Sequence, residues 1–147
     1  GTQGTPGLVA AISAEQDTTG NIRLATSQLT ALKGKTLIFK TDTANNATVA
    51  LYTVPTGKTF YLLHITCGMH GQTANQIGLI HIGADSDNRL LIMKSDITAV
   101  YHPLDEKFVN ITFPTPIPFP AGTVINAFSD SANLSLYPTI VGYLEDA

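Results

Sequence analysis

The stretch Leu51–Gly68, LYTVPTGKTFYLLHITCG, decides the fold. Leu51, Tyr52, Thr53 and Val54 favour extended backbone, Pro55-Thr56-Gly57 supplies turn residues, and Thr59 to Thr66 is a run of aromatic, β-branched and aliphatic side chains. This reads as two buried strands joined by a tight turn. A run so apolar is expected to be covered on both faces, because strands buried on two sides lose the in/out alternation of a half-wet sheet. One cover would be the second sheet of a sandwich and the other a neighbouring subunit.

Outward from this stretch the strand signals recur at short, regular spacing, as in sandwiches and barrels. Thr36–Thr41, Thr48–Val54 and Lys58–Cys67 come first, then Gln76–Gly83, Arg89–Lys94, Lys107–Phe113, Thr123–Phe128 and Asn133–Leu144. Asn45-Asn46 and Ala84-Asp85-Ser86-Asp87-Asn88 supply turns between them. Helix has almost no place after residue 34, so the expected fold is all-β, an antiparallel jelly-roll-like β-sandwich over residues 34–147.

Pro114, Pro116, Pro118 and Pro120 punctuate the chain at every second residue. Residues two apart in a strand aim their N–H groups to the same side, so this alternation strips one edge of its donors. The segment is therefore expected at a sheet edge or in a polyproline-like crossover. Protection against unwanted pairing is the simplest use, and Phe113, Ile117 and Phe119 are left to face an apolar surface.

Residues 1–33 have a different texture. Gly1, Gly4, Pro6 and Gly7 make a flexible start, Leu8 to Ile12 is a short apolar patch, and Ser13 to Thr19 is polar. Gly20–Ala25 alternates like a half-buried strand, and Thr26–Lys33 has the spacing of a helical turn or two ended by Gly34. This part reads as an N-terminal extended arm with one short strand and little core of its own.

A chain of 147 residues forms one domain and removes roughly 70% of its unfolded surface from water, so it needs no disulfide or metal staple. Charged residues are 13% of the chain and apolar residues 44%, against about 25% charged in ordinary soluble domains. Much of the outside is thus uncharged, which points to burial against copies of itself or a partner. A net charge of −3 with scattered Lys and Arg argues against duplex nucleic acid as a partner. With no apolar run of 18 residues and no basic-then-apolar leader, no membrane span and no signal peptide is expected. Cys67 is the single cysteine, so no internal disulfide is expected.

Several motifs imitate chemistry without completing it. Gly57-Lys58-Thr59 and Gly34-Lys35-Thr36 resemble the end of a phosphate loop, but the earlier glycine such a loop needs falls at Tyr52 and Leu29. His64-x-x-Cys67-x-x-His70 has ligand-like spacing, yet along a strand His64 and Cys67 point to opposite faces. His64 and His81 would hold an ion only if neighbouring strands met at a symmetry axis. Asp85-Ser86-Asp87-Asn88 offers oxygens but has Leu90 and Asp96 where a calcium loop needs Gly and Glu. Asp105-Glu106 beside His102 reads as surface, and no Gly-x-Ser-x-Gly elbow exists. Asn46, Asn110 and Asn133 each head a glycosylation-acceptor triplet, a match that threonine-rich β proteins produce by chance. No catalytic residue, metal ligand or cofactor is expected.

Gly20-Asn21-Ile22-Arg23-Leu24-Ala25, Leu32-Lys33-Gly34-Lys35 and Tyr52 to Leu62, with Pro116-Ile117-Pro118-Phe119-Pro120-Ala121-Gly122-Thr123 and Val141 to Glu145, resemble small structural proteins of tailed-bacteriophage virions. The likeness is patchy and built of turn-and-strand motifs. It implies a β-sandwich subunit of the virion, commonly a homotrimer, coating the head or forming part of a fibre or tail. Its partners would be itself and a major capsid or other virion protein, and it brings no catalytic residues. Leu8, Val9 and Ile12 of the arm, with Ile117 and Phe119 on the proline-rich edge, are the expected contact residues. The alternative from another class is a carbohydrate-binding module; lacking Trp, it would use Tyr52, Tyr61, Tyr101, Tyr137 or Tyr143 to bind glycan.

Overall fold

The computed structural model describes residues 34–84, 88–95 and 105–147, with backbone alone at 105 and 106. The arm of residues 1–33, including Leu8, Val9 and Ile12 and the strand and helical turn expected there, lies outside the described residues, as do Asp85, Ser86, Asp87, Tyr101 and His102. The described residues contain no helix and nine strands: β1 Thr36–Thr41, β2 Ala44–Asn45, β3 Thr48–Thr53, β4 Lys58–Gly71, β5 Ile77–Ile82, β6 Arg89–Lys94, β7 Asp105–Phe119, β8 Val124–Ser129 and β9 Leu134–Asp146.

They form two antiparallel sheets, β1-β9-β4-β7 with β2 also on β9, and β3-β8-β5-β6. Setting aside the short β2, the first strand pairs the last (β1 with β9), the second pairs the next to last (β3 with β8), then β4 pairs β7 and β5 pairs β6. That nested pairing is the jelly roll, the expected class.

The opening stretch thus does not make a hairpin. Its turn carries the chain from one sheet to the other: the Lys58 N–H donates to the Pro55 carbonyl at 3.2 Å, and Gly57 takes the left-handed φ of +74°. Pro120-Ala121-Gly122-Thr123 repeats the device where β7 crosses to β8, with Gly122 at φ +85°. The two crossings bond to each other, since Val54 N–H donates to Thr123 and Gly122 N–H to Val54, both at 2.9 Å.

β4 alternates along its length between buried and half-buried residues. Phe60, Leu62, Ile65, Cys67 and Met69 enter the core, which Leu134, Leu136 and Ile140 of β9 and Ile80, Ile125 and Ala127 of the facing sheet complete. Within the described residues β4 is therefore covered on one face, not two. Its other face carries Tyr61, His64, Thr66 and His70, all half-buried. A bulge between Leu62 and His64 sets the phase, so that both Leu62 and Ile65 point inward.

The close approach of strands and sheets shows at two glycines. A Cβ at Gly78 would lie 2.5 Å from a Leu136 methyl of the opposite sheet; one at Gly142 would collide with the Tyr61 carbonyl and lie 2.5 Å from the Phe60 ring.

The proline-rich segment is an edge, as its composition requires. β7 pairs β4 alone among the described strands. Ile117, Pro118 and Phe119 stand opposite Leu62, Tyr61 and Phe60, while Phe113 to Pro116 bulge opposite the single residue Leu63. Pro138 is less expected, sitting in the central strand β9. It falls where β1 has ended at Thr41 and β2 has not begun at Ala44, so its missing N–H costs the sheet no ladder bond.

Candidate interaction surface

Among the described residues, the outer face of the β1-β9-β4-β7 sheet carries the exposed Leu37, Phe39, Phe108 and Tyr137, while Ile77 and Ile92 are exposed on the other sheet. Register places Leu37, Tyr143, Tyr61 and Pro118 in one row across four strands, and Phe39, Val141, His64 and Thr112 in the next. Leu37 and Phe39 are 61% and 68% exposed. Tyr61 and Tyr143 stack with ring centroids 5.0 Å apart and planes 13° from parallel. His64 Nδ1 and Thr112 Oγ1 share a hydrogen bond of 2.8 Å.

Farther along the same face, Tyr137, Gly68 and Phe108 form another row. Phe108 and Tyr137 are again exposed, and glycine between them leaves a floor without a side chain. Together with His70 and Lys107 they line an open groove of about 430 Å³. A second groove, of about 410 Å³, lies on the other sheet among Thr48, His81, Gly83, Val124 and Asn126. There His81 is buried with no hydrogen-bond partner at Nδ1, and Asn126 donates to the Gly83 carbonyl at 2.7 Å.

The motifs that imitate chemistry stay apart. Lys58 and Thr36 begin strands, not helices, so neither glycine–lysine pair has the helix N-terminus a phosphate needs. Cys67 points into the core while His64 and His70 belong to the opposite face. Burial pushes its thiol up to about 11 despite a backbone hydrogen bond from Tyr137, leaving an inert, protonated side chain. His64 and His81 are in different sheets, which corrects the idea of neighbouring strands. No cluster of three metal-ligating side chains occurs among the described residues.

Of the expected contact residues, Ile117 and Phe119 are half-buried and pack against the core. Sequence reading missed Leu37, Phe39 and Phe108. In Thr36-Leu37-Ile38-Phe39 both faces of the strand are offered apolar side chains, so alternation alone does not say which one faces water.

No family model matches the chain, nor does any curated protein. Among solved structures it is similar to a pentameric capsid protein isolated from metagenomic phage sequences, at 16% identity over 93% of this chain and 77% of that one, with a TM-score of 0.35. A superposition so loose leaves the jelly-roll assignment resting on the strand pairing itself.

Proposed function

We propose that the chain is a non-enzymatic structural subunit of a bacteriophage virion, a capsid decoration or head/tail-surface protein that assembles as a homotrimer and docks on a major capsid or other virion protein. The observation that carries this reading is the outer face of the β1-β9-β4-β7 sheet, where Leu37, Phe39, Tyr61, Val141 and Tyr143 gather with few charges among them. Contiguous apolar surface of this kind marks an interface, and repetition by symmetry turns many modest contacts into a stable assembly. The low charge of the whole chain and the resemblance of its turn-and-strand motifs to virion proteins support the same conclusion. In this reading Leu8, Val9 and Ile12 dock the arm on a neighbour, and Ile117 and Phe119 present their exposed remainder at the proline edge.

Light scattering on a size-exclusion column, over a range of concentrations, tests it. A stable oligomer whose mass is a multiple of three chains is expected, and changing Leu8, Val9 and Ile12 together to Ser should weaken assembly while leaving the β-sheet spectrum intact. A monomer at every concentration would sink the self-assembling reading. The row Tyr137-Gly68-Phe108 favours a second reading, glycan binding, because exposed aromatic rings beside polar side chains suit the apolar face of a sugar. Reproducible binding on a glycan array, lost in Tyr137→Ala, would support it.

A further inference from the structure

The two edges of the β1-β9-β4-β7 sheet are built differently, and the open one matches itself. Strand β1 pairs only β9 among the described strands, and five of its six residues are exposed. It has no proline, and its one charge, Lys40, lies 6.0 Å over the Tyr52 ring of the facing sheet, so a single inward-facing lysine is all that blunts this edge. The direction of its backbone groups follows from one bond: the Asp42 N–H donates to the Pro138 carbonyl. Backbone groups alternate in direction along a strand, so those of Lys40, Ile38 and Thr36 also face β9. Leu37, Phe39 and Thr41 therefore aim their N–H and C=O groups at the open edge.

We propose that β1 pairs antiparallel with β1 of a second copy across a two-fold axis at Ile38, joining two sheets into one. This register sets Leu37 opposite the second copy's Phe39, Thr36 opposite its Lys40, Lys35 opposite its Thr41, and Ile38 opposite Ile38. It is the one register that gives every residue from 35 to 41 a partner. Leu37 and Phe39 face each other as a hydrogen-bonded pair, each with outward donor and acceptor, and their side chains meet on the outer face. No like charges stand opposite each other. Ile38, which packs against the core, meets its own copy on the inner face, so the two cores become continuous. A two-fold contact uses up both β1 edges, so this pairing closes at two copies, and Pro114, Pro116 and Pro118 oppose growth at the proline part of the far edge, β7. The contact lies at the edge and does not rest on the virion reading; a three-fold contact elsewhere can coexist with it.

Cross-linking tests the register. Residues opposite each other in a non-hydrogen-bonded pair have Cα atoms about 4.5 Å apart, within disulfide range. Ile38→Cys, oxidised mildly and run on a denaturing gel without reductant, should appear at twice the mass of one chain. Adding Leu37→Pro, which removes an outward donor and leaves the bonds to β9, should abolish that band. Thr36→Cys, whose residue faces Lys40 and not itself, should stay a single chain. The native Cys67 does not confuse the result, being fully buried. Because the gel is denaturing, any trimer contact is dissolved and the readout reports β1 alone. A single-chain band from Ile38→Cys, as when an extended segment of another protein occupies the edge, overturns the proposal, as does equal cross-linking of Thr36→Cys.

Discussion

The two edges of the β1-β9-β4-β7 sheet solve opposite problems. β7 has no proline over residues 105–113 but then carries Pro114, Pro116 and Pro118 within the strand, so the last part of its outer side has few N–H groups to offer a passing strand. β1 has none of these, and shows Leu37 and Phe39 to water beside outward-facing donors. An exposed apolar edge blunted by one lysine alone is a liability unless it is an interface. A chain that guards part of one edge with proline and leaves the other without it directs edge-to-edge strand pairing toward β1, and the difference between the edges is more informative than either alone.

The largest expected effect attacks what the edges share. Gly142 lies on β9 opposite Ile38 of β1 and Leu62 of β4, and a side chain there meets the Tyr61 backbone and the Phe60 ring. Gly142→Val should cost more than about 4 kcal/mol, or prevent folding, because neither neighbour has room to yield. Denaturant unfolding would measure it. A loss under about 1 kcal/mol would mean that the strands are not packed as described.

The next effect is a test of parity within β1. Lys40 aims its N–H at β9, whereas Phe39 aims its N–H at the open edge, as the Asp42–Pro138 bond implies. Lys40→Pro should therefore destabilise the monomer by about 2 kcal/mol beyond Lys40→Ala, through a lost ladder bond and an orphaned β9 carbonyl. Phe39→Pro should differ from Phe39→Ala by less than about 1 kcal/mol. Equal costs at the two sites would break the distinction on which the open edge depends.

These tests separate what could be read locally from what could not. The limits of β1 and β6 were legible to the residue, and the edge position of the proline segment followed from the missing donors. Such features depend on neighbours in the chain. Pairing does not: Leu51 to Gly68 looks like a hairpin, yet β3 and β4 belong to different sheets, because the nested pairing is a contest among the eight long strands of the described residues. The one-sided burial of β4 was hidden for another reason. Tyr61, His64 and Thr66 on its outer face have apolar bodies, so a half-wet strand looks wholly buried. At Leu37 and Phe39 the apolar residues of both parities concealed the exposed face.

A smaller effect opens the sealed side. Pro118 stands opposite Tyr61 at the edge, and Pro118→Thr should change stability by under about 1 kcal/mol, since proline there restricts the unfolded chain as much as it protects the folded one. What should change is association. Combined with Pro116→Thr, it restores outward donors, and light scattering should show growth beyond the closed oligomer as concentration rises. Unchanged scattering would mean that the alternating prolines serve the path of β7 rather than its protection.

The smallest effect lies between the edges, where β4 and β9 run side by side. Lys58 stands directly opposite Asp146, and their side chains form an ion pair. The hydrogen bond from Lys58 and its charge hold the Asp146 carboxyl below its ordinary range. A carboxyl whose folded pKa is depressed lends stability above its unfolded pKa and loses it as the pH falls through the folded value. Wild type and Asp146→Asn should thus differ slightly in Tm at neutral pH and converge in acid, as protonation removes the charge that the variant never had. Asp146 is 89% exposed, so salt should also shrink the difference. A gap that persisted in acid and in salt would assign the effect to the hydrogen bond or to packing at the strand end, not to charge. The pair ties the central strands together at one end and contributes nothing to either edge, so removing it should leave the contrast between β1 and β7 unchanged.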